Sequence, residues 1–153
     1  MPKKIILAIV GVFLIIQLIP VDRNNPPVSE EWNPDREIKQ IIQKSCYDCH
    51  SNKTKWPWYS YVAPVSWLVA HDVKEGREEL NFTEMDRYSE RRFKRKLRHA
   101  LEEVYEKEMP LPIYVLMHPE AKVTDEEFTK LKNYLEKEYK IEWSPENEDH
   151  EEE

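Results

Sequence analysis

Cysteine is scarce in this 153-residue chain: Cys46 and Cys49 are the only two. With no second cysteine pair and no His-x3-His, a structural zinc site is short of half its ligands. No strand-like alternation surrounds residues 30–70, so a thioredoxin-like thiol pair lacks the βαβ setting it needs. A disulfide between the two would close only a very small loop. Internal repeats are absent as well. The net charge of −7 argues against a nucleic-acid partner.

What the two cysteines do form is Cys46-Tyr47-Asp48-Cys49-His50. Thiols three positions apart sit about one helical turn from each other, so both can reach the vinyl groups on one edge of a porphyrin. The histidine that follows falls under the ring, where its imidazole can ligate the iron. Haem c is therefore the expected cofactor, with Cys46 and Cys49 as attachment points and His50 as the proximal ligand.

Such attachment takes place outside the bacterial cytoplasmic membrane, and the N-terminus reads as an export address. Lys3 and Lys4 precede Ile5 to Ile19, a run in which only Gln17 is polar. No small-x-small cleavage site follows, and no cysteine that would make a lipoprotein anchor. The expectation is an uncleaved signal anchor and transmembrane helix over residues 1–21, with the rest of the chain on the periplasmic side. As a helix the run covers about 23 Å, short of the ~30 Å hydrocarbon core, so a cleaved signal peptide is the competing reading.

The remainder divides into a linker over 22–34, one small domain over 35–143, and an acidic, disordered tail over 144–153. The domain reads as all-α. Asn33 and Pro34 are expected to start a helix bearing Ile38, Ile41 and Ile42, and Pro64 one bearing Val65, Leu68, Val69 and Val73. Ser89 caps a third, with Phe93, Leu97, Ala100, Leu101, Val104 and Tyr105 at helical spacing. Thr124 to Glu127 is a capping box for a fourth carrying Phe128, Leu131, Tyr134 and Leu135.

A sixth iron ligand is sought in Met109-Pro-Leu-Pro and the segment up to Met117-His118-Pro119. Met109 has the strongest claim, because the proline after it leaves little backbone freedom and a thioether opposite histidine suits electron transfer. Met117, His71, His99 and His118 are the alternatives. Trp56, Trp58, Tyr59, Tyr61 and Trp67 form a dense aromatic block read as core and haem-pocket packing. Arg91 to Arg98 holds six basic residues in eight. It reads as a solvated face, or as a docking face for an acidic redox partner or lipid headgroups.

The block Cys46-Tyr-Asp-Cys-His-Ser-Asn52, with Trp56-Pro-Trp-Tyr-Ser60, Ala63-Pro-Val-Ser-Trp67, Glu75-Gly-Arg77, Leu80-Asn-Phe82, Met109-Pro-Leu-Pro and Leu116-Met-His-Pro119, resembles the bacterial haem-binding domain family of membrane-anchored, monohaem c-type proteins. The resemblance runs from about residue 5 to residue 140. It implies a cytochrome c-like helical fold around a covalent haem, thioether roles for Cys46 and Cys49, axial ligation by His50, and Met109 opposite by analogy. The implied function is one-electron transfer to or from redox partner proteins rather than an enzymatic activity. A peroxidase-like enzyme or a gas or redox sensor with an open sixth position is the alternative.

Overall fold

The computed structural model describes residues 2–144; the four domain helices that hydrophobic periodicity asks for are found there, with two short helices, at Tyr47–His50 and Pro112–Met117, that it does not signal. In chain order they are α1 (Pro2–Ile16), α2 (Arg36–Ser45), α3 (Tyr47–His50), α4 (Val65–Glu79), α5 (Glu90–Glu106), α6 (Pro112–Met117) and α7 (Asp125–Tyr139). Short 3-10 turns stand at Trp58–Tyr61, Met85–Arg87 and Pro119–Ala121. No strand is present among the described residues, so the all-α expectation holds. The acidic tail, beyond Ser144, lies outside the described residues.

Helices α2, α5 and α7 bury one stripe each against a common core. Ile38, Ile41 and Ile42 come from α2, Phe93, Leu97 and Leu101 from α5, and Leu131 and Leu135 from α7. Trp32 stands at its centre, stacked on Phe82 at 5.3 Å and edge-on to Phe93 at 5.5 Å, with its indole N–H donating to the Tyr139 hydroxyl. Caps form where local chemistry asks for them. Ser89 accepts from the Arg92 N–H, and the Thr124–Glu127 capping box closes in both directions.

Four expectations need correction. The cap of α2 is Asp35, not Asn33: its carboxylate takes the Ile38 N–H at 3.0 Å, while the Asn33 side chain is occupied by Lys39. On α4 the buried face is Ser66, Val73 and Gly76, with Val65 and Leu68 exposed, because small residues let this helix approach its neighbour closely. Within the aromatic block, Trp58, Tyr61 and Trp67 are exposed rather than packed in the core.

The fourth concerns the membrane-spanning helix. Among the described residues no helix is long and apolar enough to cross a membrane. Helix α1 has 15 residues, about 22 Å of rise. It stops at Ile16 because the Gln17 amide turns to the domain, donating to Ala63 O at 3.1 Å and accepting from Ala63 N at 2.9 Å. Pro20, lacking an N–H, follows.

The stretch 22–34, expected as a linker, is tied to the domain along its length. Asn25 donates to Thr54 O, Ser29 N to Thr83 O and Trp32 N to Phe82 O, and Arg77 reaches the Asn24 carbonyl.

Candidate haem attachment site

The attachment turn begins where α2 ends. Cys46 closes α2 by donating its N–H to Ile42 O at 2.9 Å, then breaks the helix direction with φ −121° and ψ −32°. Its carbonyl starts the next turn, accepting from Cys49 N at 3.2 Å and His50 N at 2.8 Å. Both thiols and the imidazole thus belong to one turn of main chain. The thiols are free, and burial pushes each up to about 12; for Cys46 the other thiol adds to the rise, and for Cys49 the carboxylates of Asp48 and Asp72 do.

His50 is oriented by a residue thirty positions on. Its Nδ1 lies 2.9 Å from Leu80 O. A carbonyl only accepts, so Nδ1 carries the proton and Nε2 keeps its lone pair for a metal. Burial holds the imidazole below its ordinary 6.5, against an opposing pull from the Leu80 and Gly76 carbonyls, and so favours the neutral, ligating form.

Helix α4 makes the close approach possible. Gly76 is buried against the attachment turn, and a Cβ there would stand 2.8 Å from Cys49 O. Arg77, the next residue, donates to Ser51 O, Thr54 Oγ1 and the Asn25 side chain, holding the chain that leaves the motif.

Asp48, between the two cysteines, links the turn to α6. Its Oδ2 accepts from the Tyr114 hydroxyl at 2.7 Å and its Oδ1 from the Lys55 N–H at 2.9 Å. Tyr114 stacks on His118 at 4.5 Å, and His118 Nε2 lies 2.9 Å from the Tyr59 hydroxyl.

The structure brings Cys46, Cys49 and His50 together. Met109 it places half-buried after α5, its N–H on Glu103 O, lining a cavity of about 440 Å³ with Val104, Pro110, Val115 and Phe128. No residue of the Cys46–His50 turn lines that cavity. Met117 is exposed; His71 and His99 are exposed and face Glu75 and Glu103 on their own helices.

Sequence reasoning missed Leu80, Asp48 and Tyr114. Leu80 acts through its carbonyl, which every residue has, so nothing in the sequence marks it. Gly76 did carry a signal: a glycine inside a helix costs roughly 1 kcal/mol against alanine, so its presence points to a close approach.

The donor set fits a haem: one imidazole with a committed Nδ1 and a free Nε2, and two thiols on the turn just before it. These features define a small helical haem-binding domain. The model of the haem-binding domain family matches residues 11–137, and the chain belongs to that family. Comparisons with curated proteins and with solved structures find no match.

Proposed function

We propose that the chain is a monohaem c-type electron carrier held at a membrane, with the haem attached through Cys46 and Cys49 and ligated by His50. The single observation that carries this is the Nδ1 bond to Leu80 O, which leaves Nε2 available on the turn bearing both cysteines. When bound, the haem supplies one-electron chemistry at iron. The protein's part is to hold the axial imidazole neutral and oriented, to present two thiols to one porphyrin edge, and to exclude water behind Phe82 and Leu80.

Met109 is the proposed sixth ligand. Its support is its place on the loop that α6 continues, which Tyr114 ties to Asp48 between the attachment cysteines. The membrane reading rests on α1, whose large aliphatic residues Leu7 and Leu14 are among many left exposed around the helix. Because covalent haem attachment takes place outside the bacterial cytoplasmic membrane, the haem domain is placed in this proposal on the extracytoplasmic side, where redox partners meet it.

The test is to export the protein through a cytochrome c maturation system and stain for haem after denaturing electrophoresis. The stain should survive denaturation and vanish in the Cys46→Ala, Cys49→Ala double variant; covalent haem persisting in that variant overturns the reading. A second reading, an enzyme or sensor with an open sixth position, draws on the placement of Met109 in a cavity that the attachment turn does not line. A sulfur-to-iron charge-transfer band lost in Met109→Ala supports the carrier, whereas high-spin spectra with fast carbon monoxide binding support the second reading.

A further inference from the structure

His50 is bracketed by two hydrogen bonds to the 80–82 main chain, one from its ring and one to its carbonyl: Nδ1 to Leu80 O, and Phe82 N to His50 O, each 2.9 Å. Between these anchors stands Asn81, almost wholly buried. Its Oδ1 accepts from the Thr83 N–H at 3.0 Å and from the Thr83 hydroxyl at 2.8 Å, and its amide donates to Asn52 Oδ1 at 2.8 Å. Thr83 Oγ1 in turn accepts from the Asn52 main-chain N–H at 2.7 Å. The Asn52 amide goes to Pro27 O and Glu84 Oε1, and the Asn81 N–H to the Tyr88 hydroxyl.

Asn52, Asn81 and Thr83 therefore close a ring of hydrogen bonds in which every side-chain polar atom has a partner, at no more than 4% exposure. Two of these bonds satisfy the buried main-chain N–H groups of Asn52 and Thr83, which an apolar residue would leave unpaired. What a buried polar ring adds is direction: it fixes distances that apolar packing leaves adjustable. The distance fixed here is that between the chain just after His50 and the chain just after Leu80.

We infer that Asn52, Asn81 and Thr83 are positioning residues for His50: by locking residues 50–52 to 80–83 they hold the Leu80 carbonyl on Nδ1 and set the orientation and basicity of the ring. The inference rests on the haem reading above. A firmly held Nδ1–H···O bond makes imidazole a stronger donor to a metal, which favours the oxidised iron and lowers its potential. Loosening the ring of bonds raises that potential.

The test uses the haem-loaded full chain as wild type, Thr83→Val, Thr83→Ser and Leu135→Val, the last a core trim on α7. Three quantities are measured: midpoint potential, solvent exchange of the His50 Nδ1 proton by NMR in the reduced state, and urea midpoint. Thr83→Val, which removes the hydroxyl at constant shape, should raise the potential and speed the exchange about tenfold. Thr83→Ser should restore both, and Leu135→Val should lower the urea midpoint while leaving both unchanged. If Thr83→Val fails to fold, Tyr88→Phe, which frees only the Asn81 N–H, should move both readouts the same way by less. The inference is overturned if these variants lose stability as Leu135→Val does with potential and exchange at wild-type values, or if Thr83→Val and Thr83→Ser shift equally. Absence of haem from the wild type would instead overturn the haem reading.

Discussion

The Cβ that Gly76 lacks would stand 2.8 Å from the carbonyl oxygen of Cys49 and 3.1 Å from that residue's own Cβ. Helix α4 and the attachment turn therefore meet backbone to backbone. The neighbour in the way is main chain, which cannot swing aside like a side-chain tip.

Gly76→Ala should accordingly cost about 1–3 kcal/mol by overpacking, more than alanine's better helix propensity returns. The displaced turn should also take up less haem. Urea unfolding and haem-stain yield check both; a variant as stable as wild type, with full haem content, would show that the two elements can separate freely.

Tyr114→Phe removes the hydroxyl that reaches Asp48 Oδ2 at 2.7 Å and keeps the ring stacked on His118. A hydrogen bond to a charged group contributes about 1.5–3 kcal/mol when well protected, and this half-buried pair should sit at or below the lower end. The expected result is a loss of about 1 kcal/mol in urea unfolding, together with faster proteolytic cleavage within residues 107–119. Unchanged cleavage there would mean that the Asp48–Tyr114 bond does not hold α6 down.

In the haem-free chain, where His50 is unligated, stability should fall as pH drops below 6.5. Burial depresses the folded His50 below that ordinary value, so the unfolded chain takes up a proton that the folded chain refuses. The slope is at most about 1.4 kcal/mol per pH unit and flattens once pH passes the folded value. Below 4.5 the carboxylates of Glu31, lowered by its bond from Lys53, and Glu84, lowered by the Asn52 amide, add a second loss as they protonate. Urea midpoints on both sides of 6.5 and 4.5 test this, and a flat profile between 6.5 and 4.5 would contradict the buried, neutral imidazole.

Before attachment, Cys46 and Cys49 should be poor nucleophiles in the folded chain. A rise from 9.0 to about 12 lowers the thiolate fraction at neutral pH about a thousandfold. Iodoacetamide labelling of haem-free protein should be slow when folded and fast in urea; equal rates would mean that the turn is open to solvent.

The parts legible in the sequence are those whose cause lies within a few residues. Cys46, Cys49 and His50 share a turn because helical hydrogen bonds join neighbours three and four apart, and the Thr124–Glu127 box closes for the same reason. The stripes of Ile38, Ile41 and Ile42, and of Phe93, Leu97 and Leu101, follow from period alone. Even these short-range signals misplace a boundary where two caps compete, as Asn33 and Asp35 do before α2.

What only the tertiary structure decided is everything that joins distant segments: Leu80 as the acceptor for His50, Asp48 as the partner of Tyr114, and the hydrogen bonds from the stretch 22–34 to the domain. It also places Met109 on the lining of a cavity that no residue of the Cys46–His50 turn reaches. The sequence by itself determined that Cys46, Cys49 and His50 share one turn, because spacing along a helix is a local property. The surroundings that orient that turn depend on carbonyls, amides and close approaches between segments far apart along the chain, and such pairings leave no periodic trace in the sequence.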